Sequence, residues 1–448
     1  MNESIVGKLF ELFKEQYGAT TATAASLFDG QRDLLSFVMG IGRGLEQQLI
    51  DGLGTGYRGA ILEREGVRYR FKGYRRRQMQ GLFGKVELKR AYYVAGEGQT
   101  YYPLDCEVSA EGHTPGLQYY LALFTGQNAY EEALEQFHRI FRPEGRDEIS
   151  MRKALDMDYQ LGEGLEGLRQ QEIRQVLEQD RGIEKQQPIE ETMAVSIDAT
   201  KVREKLGQKR LRNGRKRYTI GFKDVKIAAV SRVCWDRRRG EASCEDSSYV
   251  SAVEEADEFF HRIWVEMQRR GVEPEKQRIV FLGDGAEWIW NRVKDLRNSK
   301  SIEILDFYHA ADYLSKTCKE LYGEETREYY AHYPRWTKLL YRGKANVVIE
   351  EFRELLAGAR TDERRKLLRL QLGYLQDNVR RMDYPRYRRM QLPIGSGTVE
   401  SACKNVIGGR MKLGGMTWSP PGADGMAQIR ASQKSRRFES DFRTLLAA

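Results

Sequence analysis

Thr192-Met193-Ala194-Val195-Ser196-Ile197-Asp198 is an apolar run that closes on a carboxylate, and Arg278-Ile279-Val280-Phe281-Leu282-Gly283-Asp284-Gly285 repeats the pattern further along. Short apolar runs rich in β-branched residues and bounded by polar ones predict buried strands. Between them, residues 218–233 read as two strands with a turn near Lys223-Asp224, and residues 251–270 carry a helical period. Ile302-Glu303-Ile304-Leu305 reads as one more strand. Three strands, a helix, a strand, a helix and a strand predict a mixed sheet of α/β class. Carboxylates at strand ends of such a sheet face a cleft at its edge, where ligands bind, so Asp198 and Asp284 become candidate site residues.

Working outward, the first 60 residues have a helical period, with Ile5, Leu9, Leu12 and Phe13, then Leu34, Leu35, Val38, Leu45 and Leu49 at three-and-four spacing. Gly54-Thr55-Gly56-Tyr57-Arg58-Gly59 matches a dinucleotide-binding pattern, but a helical segment precedes it where that fingerprint needs a strand, so it is set aside. Residues 67–71 and 82–90 alternate as paired antiparallel strands with basic outer faces. Three helices follow, through Leu117, through Tyr130 and from Ile149; they read equally as a helix-turn-helix or as plain helical packing. A long solvated helix running into a linker over residues 170–191 sets an expected boundary: a mostly helical N-terminal region with a β-hairpin over 1–190, and an α/β region over 191–448. Within the latter, residues 310–390 are helical in pattern, and Gly395-Ser396-Gly397 opens a last helical stretch.

Composition narrows the classes. The chain has 448 residues, with 74 Lys and Arg against 65 Asp and Glu, a net +9 that favours a polyanionic partner. Hydrophobic residues at 40% are too many for intrinsic disorder. No run approaches the ~18 apolar residues of a membrane helix, and Met1-Asn2-Glu3-Ser4 does not open an export signal, so a soluble, cytoplasmic protein without a membrane partner is expected. Cys106, Cys234, Cys244, Cys318 and Cys403 are scattered and never form a C-x-x-C pair, which suits a reducing compartment better than disulfides or a zinc ribbon.

Hard divalent cations take oxygen ligands and few carboxylates, leaving room for substrate phosphates. Two such ions, roughly 3.5 to 4 Å apart, clamp the attacking and leaving oxygens of a phosphodiester, and a third carboxylate is then needed. Glu400 is the candidate: the preceding glycines break a helix, Ser396 or Thr398 is placed to cap the next, and a carboxylate is favoured in a first helical turn. Each of these carboxylates alone is more often a cap or turn residue. The triple, in strand, strand, helix order, is far more specific.

Asp198, Asp284 and Glu400 in this order resemble the Asp-Asp-Glu triad of bacterial insertion-sequence transposases with a ribonuclease-H-like core. The run 392–404, Leu-Pro-Ile-Gly-Ser-Gly-Thr-Val-Glu-Ser-Ala-Cys-Lys, followed by Arg410-Met411-Lys412 and Gly415-Met416-Thr417-Trp418-Ser419, is similar to the signature of the ISKra type. Phe222-Lys223-Asp224-Val225-Lys226, Phe281-Leu282-Gly283-Asp284-Gly285-Ala286-Glu287-Trp288 and Asp306-Phe307-Tyr308-His309 agree, and Phe83-Gly84-Lys85-Val86 and Arg90-Ala91-Tyr92-Tyr93 extend the likeness upstream. The resemblance implies a mobile-element DNA transposase whose catalytic core is split by the helical segment 310–390. It implies Asp198, Asp284 and Glu400 as ligands of two Mg2+ or Mn2+ ions, with His309 beside them handling the scissile phosphate. It also implies double-stranded DNA as partner, at least a dimer on it, and DNA-end binding by the N-terminal region. Relatives often carry cysteine pairs where this chain has Val94-Ala95-Gly96-Glu97-Gly98, so no zinc site is carried over.

Basic stretches flank the candidate carboxylates. Residues 201–217 hold Lys201, Arg203, Lys209, Arg210, Arg212 and Arg215 among nine basic residues against Glu204 alone, and read as a loop that brings DNA phosphates to the site or as a solvated face. Arg388 and Arg389, interleaved with Tyr384 and Tyr387, suit phosphate contact and base stacking, or a helix surface with snorkelling arginines. Arg410 and Lys412 are expected at the flanking backbone, and Trp418 either wedges at a DNA end or packs. Two other functions stay open: a nuclease of the same core that does not join strands, and a domesticated DNA-binding protein.

Overall fold

A computed structural model describes residues 3–18, 23–96, 98–108, 111–178, 192–210, 216–273, 276–395 and 397–447. The chain divides into two compact units, Met1–Leu161 and Gly162–Ala448. The division falls inside one helix, Met151–Leu177, and not in the linker expected before residue 191; residues 179–191 of that linker lie outside the described residues. Among the described residues, no helix is long and apolar enough to cross a membrane.

The first unit opens with helices α1 (Glu3–Tyr17) and α2 (Ala24–Gly52), the latter started by a Thr23–Ser26 capping box. The glycine cluster 54–59 follows this helix, which agrees with setting the dinucleotide motif aside. Strands β1 (Ile61–Arg64), β2 (Val67–Gln80), β3 (Lys85–Ala95) and β4 (Thr100–Tyr101) form an antiparallel sheet in sequence order. Alternation in β3 buries Val86 and Leu88 on one face, against Ile50 and Met79, and Ala91 and Tyr93 on the other, against Tyr69. The Glu46 carboxylate of α2 holds the β2–β3 turn by accepting the N–H groups of Leu82 and Phe83 at 2.9 and 3.0 Å. Helices α3 (Pro103–Val108), α4 (Pro115–Thr125) and α5 (Tyr130–Phe141) lead into α6 (Met151–Leu177), with Leu117, Leu121, Leu134 and Phe137 as a shared core.

In the second unit, β5 (Thr192–Arg210), β6 (Lys216–Asp236), β7 (Glu241–Ala252), β8 (Arg278–Gly283) and β9 (Ile302–Leu305) form a mixed sheet in the order β7-β6-β5-β8-β9. The β5–β6 and β6–β7 pairs are antiparallel, and β5–β8 and β8–β9 are parallel. The turn expected at Lys223-Asp224 is not made: both residues lie mid-strand in β6, paired with Val202 and Lys201. Polar residues are tolerated there because this end of the ribbon is exposed on its sides, whereas Val225 and residues 227–231 behind them are fully buried. Likewise the 251–270 helix starts later, as α7 (Ala256–Arg269), because Ser251 still pairs with Ile227.

Met193, Val195, Ile197, Ala228, Val230, Ile279 and Phe281 form the sheet's core, packed by α7 and α8 (Glu287–Leu296). The 310–390 segment is a run of five helices, α9 (Phe307–Tyr322), α10 (Arg327–Tyr341), α11 (Ala345–Ala357), α12 (Asp362–Asn378) and α13 (Tyr384–Arg389). Then come α14 (Gly397–Ala402), a π-helical turn (Cys403–Gly408), α15 (Gly409–Met411), α16 (Pro420–Lys434) and α17 (Phe438–Ala447).

A buried ion-pair network ties α6, α7 and the C-terminal helices together. Arg262 of α7 binds Glu166 at 2.9 Å and Glu254 at 2.6 Å, and Arg269 binds Glu172 at 2.6 Å. Glu266, with no exposed surface, meets Arg269 and Arg437 at 2.6 Å each. Burial pushes its carboxyl up, but Arg437 and Arg269 outweigh that and hold it at about 2, below the ordinary 4.5. The folded value is depressed, so this stabilisation is fully present above pH 4.5 and is lost as pH falls toward 2. Removing one partner strands a buried charge, and Glu266→Ala is expected to destabilise the protein by about 3–5 kcal/mol. Guanidinium denaturation at pH 7 checks this; a change under about 1 kcal/mol refutes the role given to Glu266.

Candidate functional site

The parallel pairing of β5 with β8 ends at Ile197 opposite Gly283, which sets Asp198 beside Asp284. Asp284 follows the end of β8, whereas Asp198 does not close its strand as expected but lies within β5, which runs on to Arg210 paired with β6. Asp198 accepts the Ala199 N–H at 2.7 Å and, on its other oxygen, the Cys403 thiol at 3.2 Å. Burial raises its carboxyl above the ordinary range, and the Asp284 charge raises it further, against the thiol and amide hydrogen bonds. Asp284 is held through its side chain by the Ala286 N–H at 3.0 Å and through its carbonyl by the Trp290 indole at 2.8 Å. Gly285 follows because a β-carbon there would overlap the Tyr374 ring.

Asp306 ends β9 and caps α9, accepting the N–H groups of Tyr308 and His309 at 2.7 and 3.0 Å, while its own N–H goes to Gly283 at 2.9 Å. This cap sets His309 in the first turn, its Nε2 at 3.9 Å from an Asp284 oxygen. Glu400 sits on α14 and is exposed. Burial of part of its carboxyl raises it, Asp306 and Asp198 add to that, and His309 opposes. Thr398 does not cap this helix: it lies inside it and bonds the Cys244 thiol, and Ser396 is outside the described residues.

Asp198, Asp284, His309 and Glu400 are thus brought to one end of the sheet within electrostatic reach of each other. Among the described residues, no three His, Cys, Asp or Glu side chains stand close enough to hold a metal ion. The donor set still suits a hard divalent cation. Its donors are carboxylate oxygens and one imidazole, and burial together with neighbouring carboxylates raises Asp198 and Glu400, a field that the positive charge of such an ion would relieve. The Cys403 thiol is pushed well up by burial and by Asp198, so it is a protonated hydrogen-bond donor and not a soft thiolate ligand.

Cys403 was not among the residues expected here. Its signal in the sequence is its place three residues after Glu400, on the same helical face.

Residues 201–210 of the basic segment are strand and not the expected loop. Lys201, Arg203 and Lys209 are exposed on β5, in a long antiparallel ribbon with β6 that also includes Arg210; Arg212 and Arg215 lie outside the described residues. Lys412 is exposed and its ammonium reaches the Thr200 hydroxyl, two residues from Asp198. Arg389 is exposed and Arg388 half-buried, its guanidinium 3.8 Å from the centre of the Tyr341 ring.

Two expectations are corrected. Trp418 is buried, donates from its indole to the Met411 carbonyl at 3.0 Å, and pairs by backbone with Arg203 and Lys205 of β5 at 2.9 Å each, so it neither wedges nor stacks on a ligand. Arg410 is fully buried, with its guanidinium 5.0 Å from the centre of the Trp418 ring, and reaches no backbone outside the fold. The chain folds back here because Trp418 needs an apolar site with an acceptor for its N–H.

No protein-family model matches the chain, and no curated protein matches it.

Trp418→Ala removes a buried aromatic and is expected to destabilise the protein by about 3–5 kcal/mol. Denaturant midpoints measure this, and a change under about 1 kcal/mol leaves Trp418 outside the packing role.

Proposed function

We propose that this chain is a DNA transposase of the insertion-sequence type, with a ribonuclease-H-like core, that cuts and joins strands at the ends of its own element. One observation carries the reading: the β5–β8 parallel pair sets Asp198 beside Asp284 at one end of a β7-β6-β5-β8-β9 sheet, and α14 offers Glu400 to the same place. The exposed basic ribbon that begins at Asp198 supports DNA as the substrate.

In this reading Asp198, Asp284 and Glu400 hold two Mg2+ or Mn2+ ions, whose chemistry is to activate the attacking hydroxyl and to stabilise the leaving oxygen. The protein's own groups position the rest. Lys201, Arg203 and Lys209 contact phosphates along the ribbon, and Lys412, tethered at Thr200, sits where the strand enters the carboxylate cleft. His309, 3.9 Å from Asp284, donates to a phosphate oxygen or holds a proton beside it. Joining two ends calls for at least a dimer on DNA, working in the cytoplasm at the nucleoid.

The test is strand transfer with duplexes carrying the DNA ends that flank the gene, in magnesium. The wild type is expected to cut and join; Asp198→Ala, Asp284→Ala and Glu400→Ala are each expected to lose more than ~100-fold of both steps. Cutting without joining points to a nuclease, and wild-type activity in all three variants ends the triad assignment. Separately, Lys201→Ala, Arg203→Ala and Lys209→Ala are each expected to lower the slope of log affinity against log salt by about 0.9 on duplex DNA. An unchanged slope removes the ribbon from the interface.

A further inference from the structure

A cavity of about 930 Å³ has Thr398 and Ser401 of α14, the helix of Glu400, in its wall. Its volume is in the range of sites that enclose one small ligand. Trp235 at the end of β6, Tyr308 of α9 and Tyr341 of α10 supply rings to it. Arg239 of the β6–β7 turn and Arg388 and Arg389 of α13 supply positive charge, against Glu241. Rings and guanidinium groups in one concave space are the equipment for a base and its phosphate.

Two details make it a built site. The Tyr308 ring is 60% exposed, yet it is held: it lies over Gly395, where a β-carbon would overlap it, and the Phe307 N–H bonds the Ile394 carbonyl at 2.8 Å. A large ring kept in water by a glycine beneath it is a stacking platform with little freedom left to lose. Arg388 is also pre-set, 3.8 Å over the centre of the Tyr341 ring and bonded to its carbonyl at 3.3 Å, while its buried Nε has no hydrogen-bond partner among the described residues. A buried donor without a partner is unfavourable unless a ligand completes it.

We propose that this cavity binds one unpaired nucleotide of a DNA strand, its base on Tyr308 and its phosphate at Arg388 and Arg389. The proposal rests on the transposase reading for its choice of DNA. Stacking recognises the face that every base has, so the site selects an unpaired nucleotide and not a sequence. Because α14 carries both Glu400 and the cavity wall, a nucleotide seated there anchors its strand next to the carboxylates.

Binding without catalysis tests it. The full-length protein, in chelator, is titrated with a duplex bearing a three-nucleotide single-stranded extension that contains 2-aminopurine, and with the blunt duplex. The extended duplex is expected to bind about tenfold more tightly, with a change in 2-aminopurine fluorescence. Tyr308→Ala and Arg388→Ala are expected to abolish that preference with blunt-duplex affinity unchanged, and Tyr308→Phe to keep it. Equal binding of both duplexes by the wild type, or a preference that survives both alanine variants, overturns the proposal. So does displacement of the extension by a free deoxynucleoside monophosphate at matching affinity, which marks a free-nucleotide site. Binding is measured in chelator and strand transfer in magnesium, so a failure of the triad reading shows in strand transfer and leaves this measurement to stand or fall alone.

Discussion

The parallel pairing of β5 with β8 is the constraint on which the candidate site depends. Asp198 and Asp284 are far apart in sequence, and nothing local brings them together. What does so is a ladder from Thr192 opposite Arg278 to Ile197 opposite Gly283, kept in register because Met193, Val195, Ile197, Ile279 and Phe281 must all be buried. A slip of one residue would exchange Met193, Val195 and Ile197 for the small Ala194 and Ser196 of the opposite, equally buried face, and neither layer would then pack. Hydrophobic burial in the sheet therefore positions two carboxylates that would otherwise repel each other.

Around that frame the charges are arranged by distance from water. Asp198 is half-buried and its carboxyl raised, while Glu400 is exposed on a helix that joins the same field. The net +9 of the chain is not concentrated at this centre, which is anionic. Its cations are displaced outward, onto the exposed β5–β6 ribbon and the Lys412 tether, where they remain solvated and available to phosphates. Elsewhere arginines are spent inside the fold: Arg262, Arg269 and Arg437 clamp glutamates between helices, and Arg410 underlies Trp418. A count of basic residues does not separate these two uses.

The C-terminal segment shows how a long chain returns to complete a site begun 200 residues earlier. Trp418 adds a backbone bridge to β5 at Glu204, and Cys403 reaches Asp198 from the helix that carries Glu400. Asp306, joined to Gly283 by backbone and capping α9, does the same from β9. Three separate segments are thus stitched by hydrogen bonds to the middle of β5 and the end of β8.

The sequence by itself determined the mixed α/β class, the strand that stops before Asp284, and the helical stretch between His309 and Glu400; the strand expected to close at Asp198 runs on to Arg210, because β6 is long enough to pair with it. Apolar runs, turn residues and helical periodicity are local signals that survive without knowledge of partners. Asp306 and His309 stood out only through the resemblance to a known signature; that Asp306 caps the helix of His309 is a finding of the structure. Only the tertiary structure decided the fate of residues whose environment comes from elsewhere in the chain. Lys223-Asp224 looked like a turn and is mid-strand because β5 extends far enough to pair with it. Arg410 and Trp418 looked like ligands for DNA and are buried, because burial is set by what packs on a side chain and not by its type. The helix that crosses from one compact unit to the other likewise carries no mark at Leu161 and Gly162, since the period of a helix continues whichever core its faces meet.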